Sequence, residues 1–123
     1  MTKPDCVDKD SALRAIADMM ARAEQAQVKF AIGTSQHTLQ ENRIHALRVA
    51  QALVSGESGV FVDADLERAR APLASLISKS EKAQSKLREE SWQHQMLGRN
   101  LEALRLARVL LETNRMDNQG GTR

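Results

Sequence analysis

The feature that most constrains this chain is a stretch of sequence that occurs twice. Residues 35–54 read SQHTLQENRIHALRVAQALV, and residues 92–111 read WQHQMLGRNLEALRLARVLL. When residues 8–54 are laid over residues 65–111 without a gap, at an offset of 57, fourteen of the 47 aligned positions are identical. A constant offset through such a long stretch indicates a duplicated supersecondary unit.

Polar identities distinguish a duplication from the alternative, which is chance similarity between two helices rich in Ala and Leu. Apolar periodicity alone does not require matching charged or amide side chains. Such matches nevertheless include Glu24/Glu81, Gln27/Gln84, Gln36/Gln93, His37/His94 and Arg48/Arg105. We therefore expect two homologous repeats, at about residues 8–55 and 65–112.

The repeated unit has the spacing of a helical hairpin. In residues 10–32, apolar side chains recur at intervals of three and four residues, which predicts a helix. Gly33 can adopt the left-handed conformation that ends a helix, and Thr34 or Ser35 can cap the next one. The apolar stripe also rotates by roughly a third of a turn across Gly33, which favours a break over one continuous helix.

The second unit has no such glycine. Its stripe rotates near residues 89–91, so a break there and one long kinked helix are both open. The third helix is expected to begin between residues 63 and 72, because Pro72 fits only a first turn or a kink. The fourth is expected to run over residues 92–114.

Two such hairpins predict an all-α fold, an antiparallel four-helix bundle in a single domain of residues 1–123. Each hairpin has one apolar side, and packing the two sides together buries both. In the link between the hairpins, residues 56–64, the apolar segment 60–62 is expected to plug one end of the bundle. Residues 115–123 are expected to form a flexible tail.

Composition limits the class of protein. Phe30, Phe61 and Trp92 are its only Phe, Tyr or Trp residues, so the core must be aliphatic, which favours helices over sheets. The single cysteine, Cys6, cannot form an internal disulfide. No apolar run approaches membrane-spanning length, and the first ten residues lack the apolar centre of a signal peptide. We expect a cytoplasmic protein without a membrane partner.

Four polar residues fall toward the predicted apolar sides. Gln36 and Arg43 do so on the second helix, and Gln93 and Asn100 are their equivalents on the fourth. Buried polar groups must be paired. We therefore expect a polar layer in the bundle that fixes helix register, with a binding pocket at its centre as the functional alternative.

The last helix carries the residues that we expect to contact a partner, namely Trp92, Arg99, Arg105 and Arg108. Together with Arg43, Arg48 and Arg115, its arginines form a candidate phosphate-binding surface. Glu102 and Glu112 interrupt that strip, and a solvated face with ion pairs is the alternative.

The lone tryptophan, Trp92, has two interpretations. It packs against Phe61 to close one end of the bundle, or it is an exposed anchor for a partner, since Trp is enriched at binding hot spots.

His37, Glu41 and His45 recur at intervals of four residues and share one stripe, as the ligands of a helical metal site do. The helical projection directs this stripe away from the apolar side, so the three are weak metal candidates and we expect no cofactor. No nucleophile elbow or phosphate loop is present, and Cys6 has no evident His partner.

By elimination, the sequence favours a non-enzymatic protein-interaction module, such as an adaptor, an inhibitor or immunity protein, or a small chaperone, that binds another protein through an exposed helical face. Self-association is a further expectation, because apolar stripes such as Ile44/Leu101 are left over in the predicted packing. The alternative is a bundle that binds nucleic acid through its arginine-bearing last helix, although the net charge of +2 includes no basic block. A metal-binding bundle is the third hypothesis.

Overall fold

Four α-helices make up most of the described chain. The structure is a computed structural model that describes residues 8–120, with side chains for residues 8–57 and 59–113. The helices are α1 (Lys9–Gln27), α2 (Ser35–Ser55), α3 (Asp63–Ser85) and α4 (Trp92–Gly120), with a 3-10 helix at Ser58–Val60. No strand occurs within residues 8–120. The predicted all-α four-helix bundle is confirmed.

Each helix packs against two neighbours, and one diagonal pair of helices is also in contact. α1 and α3 each pack against α2 and α4, and α2 and α4 also contact each other across the centre. Ion pairs between α3 and α4 show opposite chain directions, because Arg70 pairs with Glu112 whereas the later residue Glu81 pairs with the earlier residue Arg105. Residues 28–34 and 86–91 therefore lie at one end of the bundle, the loop end, and residues 56–62 lie at the other, the linker end.

Both hairpins turn through the same hydrogen-bonded cap. The Thr34 hydroxyl accepts a hydrogen bond from the backbone N–H of His37 at 3.2 Å and donates one to the Ala31 carbonyl at 2.7 Å. Fifty-seven residues further on, the Ser91 hydroxyl accepts from the N–H of His94 at 3.1 Å and donates to a carbonyl three residues back at 2.7 Å. A side-chain oxygen at this position satisfies an N–H that lacks a helical partner.

The two breaks are reached in different ways. α1 ends at Gln27, earlier than predicted, and Gly33 then adopts a φ of 94° in the turn. The second break, at residues 86–91, needs no positive φ, because none of its residues is in the left-handed region. The second hairpin is therefore two helices, as the rotation of its stripe suggested.

α3 begins at Asp63, within the expected range, and the predicted end of α4 needs correction. Pro72 is the tenth residue of α3, which leaves the interior of the helix and not the first turn as its position. It has no N–H to donate to the carbonyl of Arg68 four residues earlier. α4 continues to Gly120, beyond the predicted end at residue 114. The flexibility of the tail stays a prediction, and residues 121–123 lie outside the described residues.

The linker end is closed by one aromatic ring. Phe61 is half-buried and packs against the core, whereas Val60 and Val62 are exposed. The predicted plug of three residues is therefore wrong for both valines. The short 3-10 helix before Phe61 and the extended residue after it point these side chains to solvent.

The core is aliphatic, as the composition predicted. Its most completely buried side chains include Ile16, Leu47, Leu73, Leu104 and Leu111, so all four helices contribute. Ala46, Ala50, Ala103 and Ala107 are also fully buried. Small side chains on α2 and α4 let these two helices approach each other across the diagonal.

Ile44 and Leu101 are buried, at 5% and 1% exposure, so they are not leftover stripes for self-association. The expectation failed because α2 and α4 each contact three helices and not two. A helix with three neighbours buries a wider arc than a single apolar stripe.

An ion pair also recurs at the offset of 57. Glu24 and Arg48 approach to 3.9 Å between α1 and α2, and Glu81 and Arg105 approach to 2.7 Å between α3 and α4. The shared caps and ion pairs agree with the register of the predicted repeat. A common origin for the two halves stays a prediction.

No helix in the described chain combines the length and apolar character needed to cross a membrane.

Candidate binding surfaces

Exposed apolar side chains concentrate at the loop end. Five of the eight large apolar side chains that are exposed in the described residues lie there, namely Val28, Phe30, Ile32, Leu39 and Trp92. Ile32 is 89% exposed and Trp92 is 66% exposed. We call these five residues the loop-end apolar set. Exposed apolar groups gathered in one region are typical of interaction sites.

Trp92 does not pack against Phe61, so the first interpretation of this tryptophan is wrong. Trp92 is the first residue of α4 and lies at the loop end, whereas Phe61 lies at the linker end. The antiparallel order of the helices separates the two rings by the length of the bundle. Exposed at the surface, Trp92 has the placement expected of an anchor for a partner.

The four predicted partner-binding residues do not share a face of α4. At about 100° per residue, Arg99 lies about 20° from Trp92 around the helix, whereas Arg105 and Arg108 lie about 140° and 160° away. Arg99 therefore faces α1, with Arg14 and Asp18 nearby. Arg105 faces α3, where it pairs with Glu81.

The predicted arginine strip is divided by ion pairing. Arg48 and Arg105 are each paired with a glutamate, and Arg108 is exposed. The side chain of Arg115 lies outside the described residues. A continuous phosphate-binding surface along α4 is therefore not formed by the residues that were predicted to form it.

The predicted polar layer is reduced to two residues. Asn100 is buried and Arg43 is half-buried, whereas Gln36 and Gln93 are exposed. Gln36 and Gln93 are second residues of their helices, at the loop end, where no neighbouring helix covers them. The helical projection could not show that the bundle ends at that level.

Two adjoining grooves flank Asn100. The α1–α4 groove has a volume of about 210 Å³. The central groove is lined by residues of all four helices and has a volume of about 240 Å³. Arg22 and Asn100 line both grooves, so the two spaces meet at this pair of side chains.

His45 has a structural role. Its Nε2 atom lies 2.9 Å from the carbonyl oxygen of Asp65, and its ring makes an edge contact with Phe61 at 6.3 Å between centroids. Because a carbonyl can only accept, Nε2 carries the proton in this contact. His45 thereby joins α2 to the first turn of α3, although the helical projection directed it away from the apolar side.

His37 is half-buried and Glu41 is exposed. Within the described residues, no three His, Cys, Asp or Glu side chains are arranged to hold a metal ion. Cys6 lies outside the described residues.

Sequence reasoning missed a contact that depends on a glycine. The Gln84 side chain donates a hydrogen bond from Nε2 to the His94 carbonyl at 3.1 Å. A Cβ placed on Gly98 would lie 3.2 Å from that same nitrogen. The signal was present in the repeat alignment, where Gly98 replaces Glu41 while the glutamines at 27 and 84 match.

A second missed contact joins α3 to α4 near the linker end. Arg70 bonds to Glu112 at 2.8 Å and to Glu67 at 3.3 Å. The hydrogen bond and the negative charge of Glu112 raise the pKa of the Arg70 guanidinium above its usual value. Arg70 therefore joins α3 to α4 through a charge-assisted hydrogen bond.

No protein-family model matches the chain, and neither curated proteins nor solved structures gave a match.

Proposed function

We propose that this chain is a non-enzymatic protein-interaction module that binds another protein through the loop-end apolar set. The partner would present an apolar segment to Trp92 and its neighbours, as the targets of adaptors, inhibitors, immunity proteins and small chaperones do. The observation that carries the proposal is the 66% exposure of the only tryptophan, at the end where most exposed apolar side chains gather. Tryptophan is enriched among residues that dominate binding energy.

A cytoplasmic location is part of the proposal and agrees with a chain whose single cysteine cannot form an internal disulfide. Cell fractionation tests it.

The alternative, nucleic-acid binding through α4, has less support. Arg105 is neutralised by Glu81, and Arg99 and Arg105 face different neighbouring helices. A backbone of phosphates is best met by arginines that share one face.

Site-specific photo-crosslinking in cells tests the proposal. A photoreactive amino acid is placed at position 92, at position 32 and, as a matched control, at position 109. Val109 is also an exposed apolar residue, at 60%, but it lies in the body of α4. We expect one protein to crosslink from positions 92 and 32 and not from position 109.

The captured protein is then purified and its affinity measured directly. Trp92→Ala should weaken binding by roughly thirtyfold, which corresponds to a hot-spot loss of about 2 kcal/mol, whereas Val109→Ala should leave it unchanged. Equal crosslinking from all three positions, or none from 92 and 32, would refute the proposal. Crosslinks only to a second copy of the chain would replace it with self-association, and crosslinks only to nucleic acid would favour the alternative.

A further inference from the structure

Asn100 is the only polar side chain that is buried in the described part of the bundle, at 7% exposure. Its amide makes no hydrogen bond to another described residue. Yet no fully sealed side-chain nitrogen or oxygen there lacks a partner. The amide atoms of Asn100 must therefore be reached from the two grooves that this residue lines. Solvent reaches the amide through these grooves, so its donors and its acceptor are available to a ligand that displaces water.

Four arginines line the two grooves that Asn100 also lines. Arg22 lines both grooves, Arg43 lines the central groove, and Arg14 and Arg99 line the α1–α4 groove. Asp18 is the one carboxylate among the lining residues, so the formal charge of the two linings together is +3.

None of the four guanidinium groups forms an ion pair with a described residue. Arg22 directs one N–H to the sulfur of Met96 at 3.4 Å, and a thioether is a weak acceptor. By contrast, four arginines outside the grooves pair with carboxylates, namely Arg48, Arg68, Arg70 and Arg105. Among the described residues, four of the six arginines without an ion pair therefore line the two grooves, and the other two, Arg88 and Arg108, lie outside them.

The central groove adds an apolar wall to this charge. Met19, Leu47 and Leu76 line it, together with Ala23 and Ala26. A ligand that filled both grooves would therefore have an anionic part and an apolar part.

We propose that the two grooves together bind a small organic phosphate. The phosphoryl group lies between Arg22, Arg99 and the Asn100 amide, and the organic part lies in the central groove. Guanidinium groups bind phosphate oxygens through paired N–H donors. A phosphate monoester carries a charge of about −1.5 to −2 near neutral pH. It therefore matches a lining of +3 better than a carboxylate does.

No residue that lines the two grooves belongs to the loop-end apolar set. Substitutions in the grooves and at the loop end can therefore be tested separately.

Isothermal titration calorimetry at an ionic strength of about 0.1 M, where the Debye length is about 10 Å, tests the proposal with two probes, phenyl phosphate and inorganic phosphate. We expect one saturable site per chain and tighter binding of phenyl phosphate, because its ring enters the central groove. Arg22→Gln should weaken binding by about tenfold or more, since it removes a charge-assisted contact. Arg99→Gln repeats the test at the second guanidinium assigned to the phosphoryl group, should Arg22→Gln alter the fold.

Arg48→Gln and Arg105→Gln are the matched controls, since each removes the same charge from a site outside the grooves. They should change the affinity less than about twofold, because exposed charges at a distance are screened. Asn100→Leu should abolish binding while circular dichroism shows the helices intact.

The proposal is overturned if phenyl phosphate does not saturate, or if the controls weaken binding as much as Arg22→Gln does. It is also overturned if a single-stranded oligonucleotide binds while phenyl phosphate does not.

Discussion

Gly98→Ala measures how much a missing side chain contributes to the contact between α3 and α4. Gly98 is the seventh residue of α4 and lies inside the helix. Replacing an interior helical glycine with alanine stabilises a helix by about 1 kcal/mol. Here, however, the new Cβ would lie 3.2 Å from Nε2 of Gln84, which bonds to the His94 carbonyl. Displacing that bond costs about 0.5–1.5 kcal/mol, so the two effects nearly cancel.

A second substitution separates the gain in helix propensity from the cost of the displaced hydrogen bond. In a Gln84→Ala background, Gly98→Ala has no amide to displace and should give the full gain of about 1 kcal/mol. The coupling between the two substitutions should therefore be about 0.5–1.5 kcal/mol, which is the difference between the two gains. For a domain of this size, 1 kcal/mol corresponds to a Tm change of about 3–6 °C. Urea unfolding followed by far-ultraviolet circular dichroism measures each variant.

The first hairpin supplies the control. Gln27 is the counterpart of Gln84, but position 41 carries a glutamate in place of the glycine, and Gln27 makes no side-chain hydrogen bond to another described residue. Gln27→Ala should therefore cost less stability than Gln84→Ala. If Gly98→Ala gives the same gain with and without Gln84, the glycine does not serve this contact and the reasoning fails.

Three further sets of substitutions test the fold. Leu104→Ala should destabilise the bundle by about 2–5 kcal/mol in urea unfolding, because it opens a cavity in a fully buried layer. Thr34→Ala and Ser91→Ala should each cost about 1 kcal/mol and lower the Tm by similar amounts, because each hydroxyl caps a helix in the same way. A double-mutant cycle on Glu81 and Arg105 should give a coupling of about 0.5–1 kcal/mol that falls with added salt.

The chain offers a control substitution or a control ion pair for each of these experiments. Val109→Ala, at an exposed position, should change stability by less than about 0.5 kcal/mol. Ser35→Ala, beside the Thr34 cap, should have little effect. The longer pair of Glu24 and Arg48, at 3.9 Å, should couple by only a few tenths of a kcal/mol. A larger coupling for this pair than for Glu81 and Arg105 would contradict the distances.

Sequence periodicity was sufficient to predict the helices because the pattern is local. The rotation of the apolar stripe indicated the first break and left a kinked helix open for the second, and Thr34 was one of two cap candidates beside Gly33. Such signals depend only on residues within one or two turns of each other.

The errors arose where the outcome depends on which helices are neighbours. A helical projection assigns Ile44 and Leu101 to the edge of a stripe, but the contact between α2 and α4 buries them. The same projection cannot show that Gln36 lies at the open end of the bundle. The glutamates and arginines that pair within each hairpin were visible as identities in the alignment. The alignment did not show that each glutamate pairs with the arginine of the same hairpin.

The exposure of Trp92 also makes this chain its own optical reporter. It is the single indole in a sequence that contains no tyrosine, so its emission can be excited without a competing phenol signal. In the folded bundle that indole is already hydrated, and melting the helices should hardly shift its emission maximum. A blue shift on titration would instead mean that another surface has covered the ring, which separates docking from folding in one spectrum.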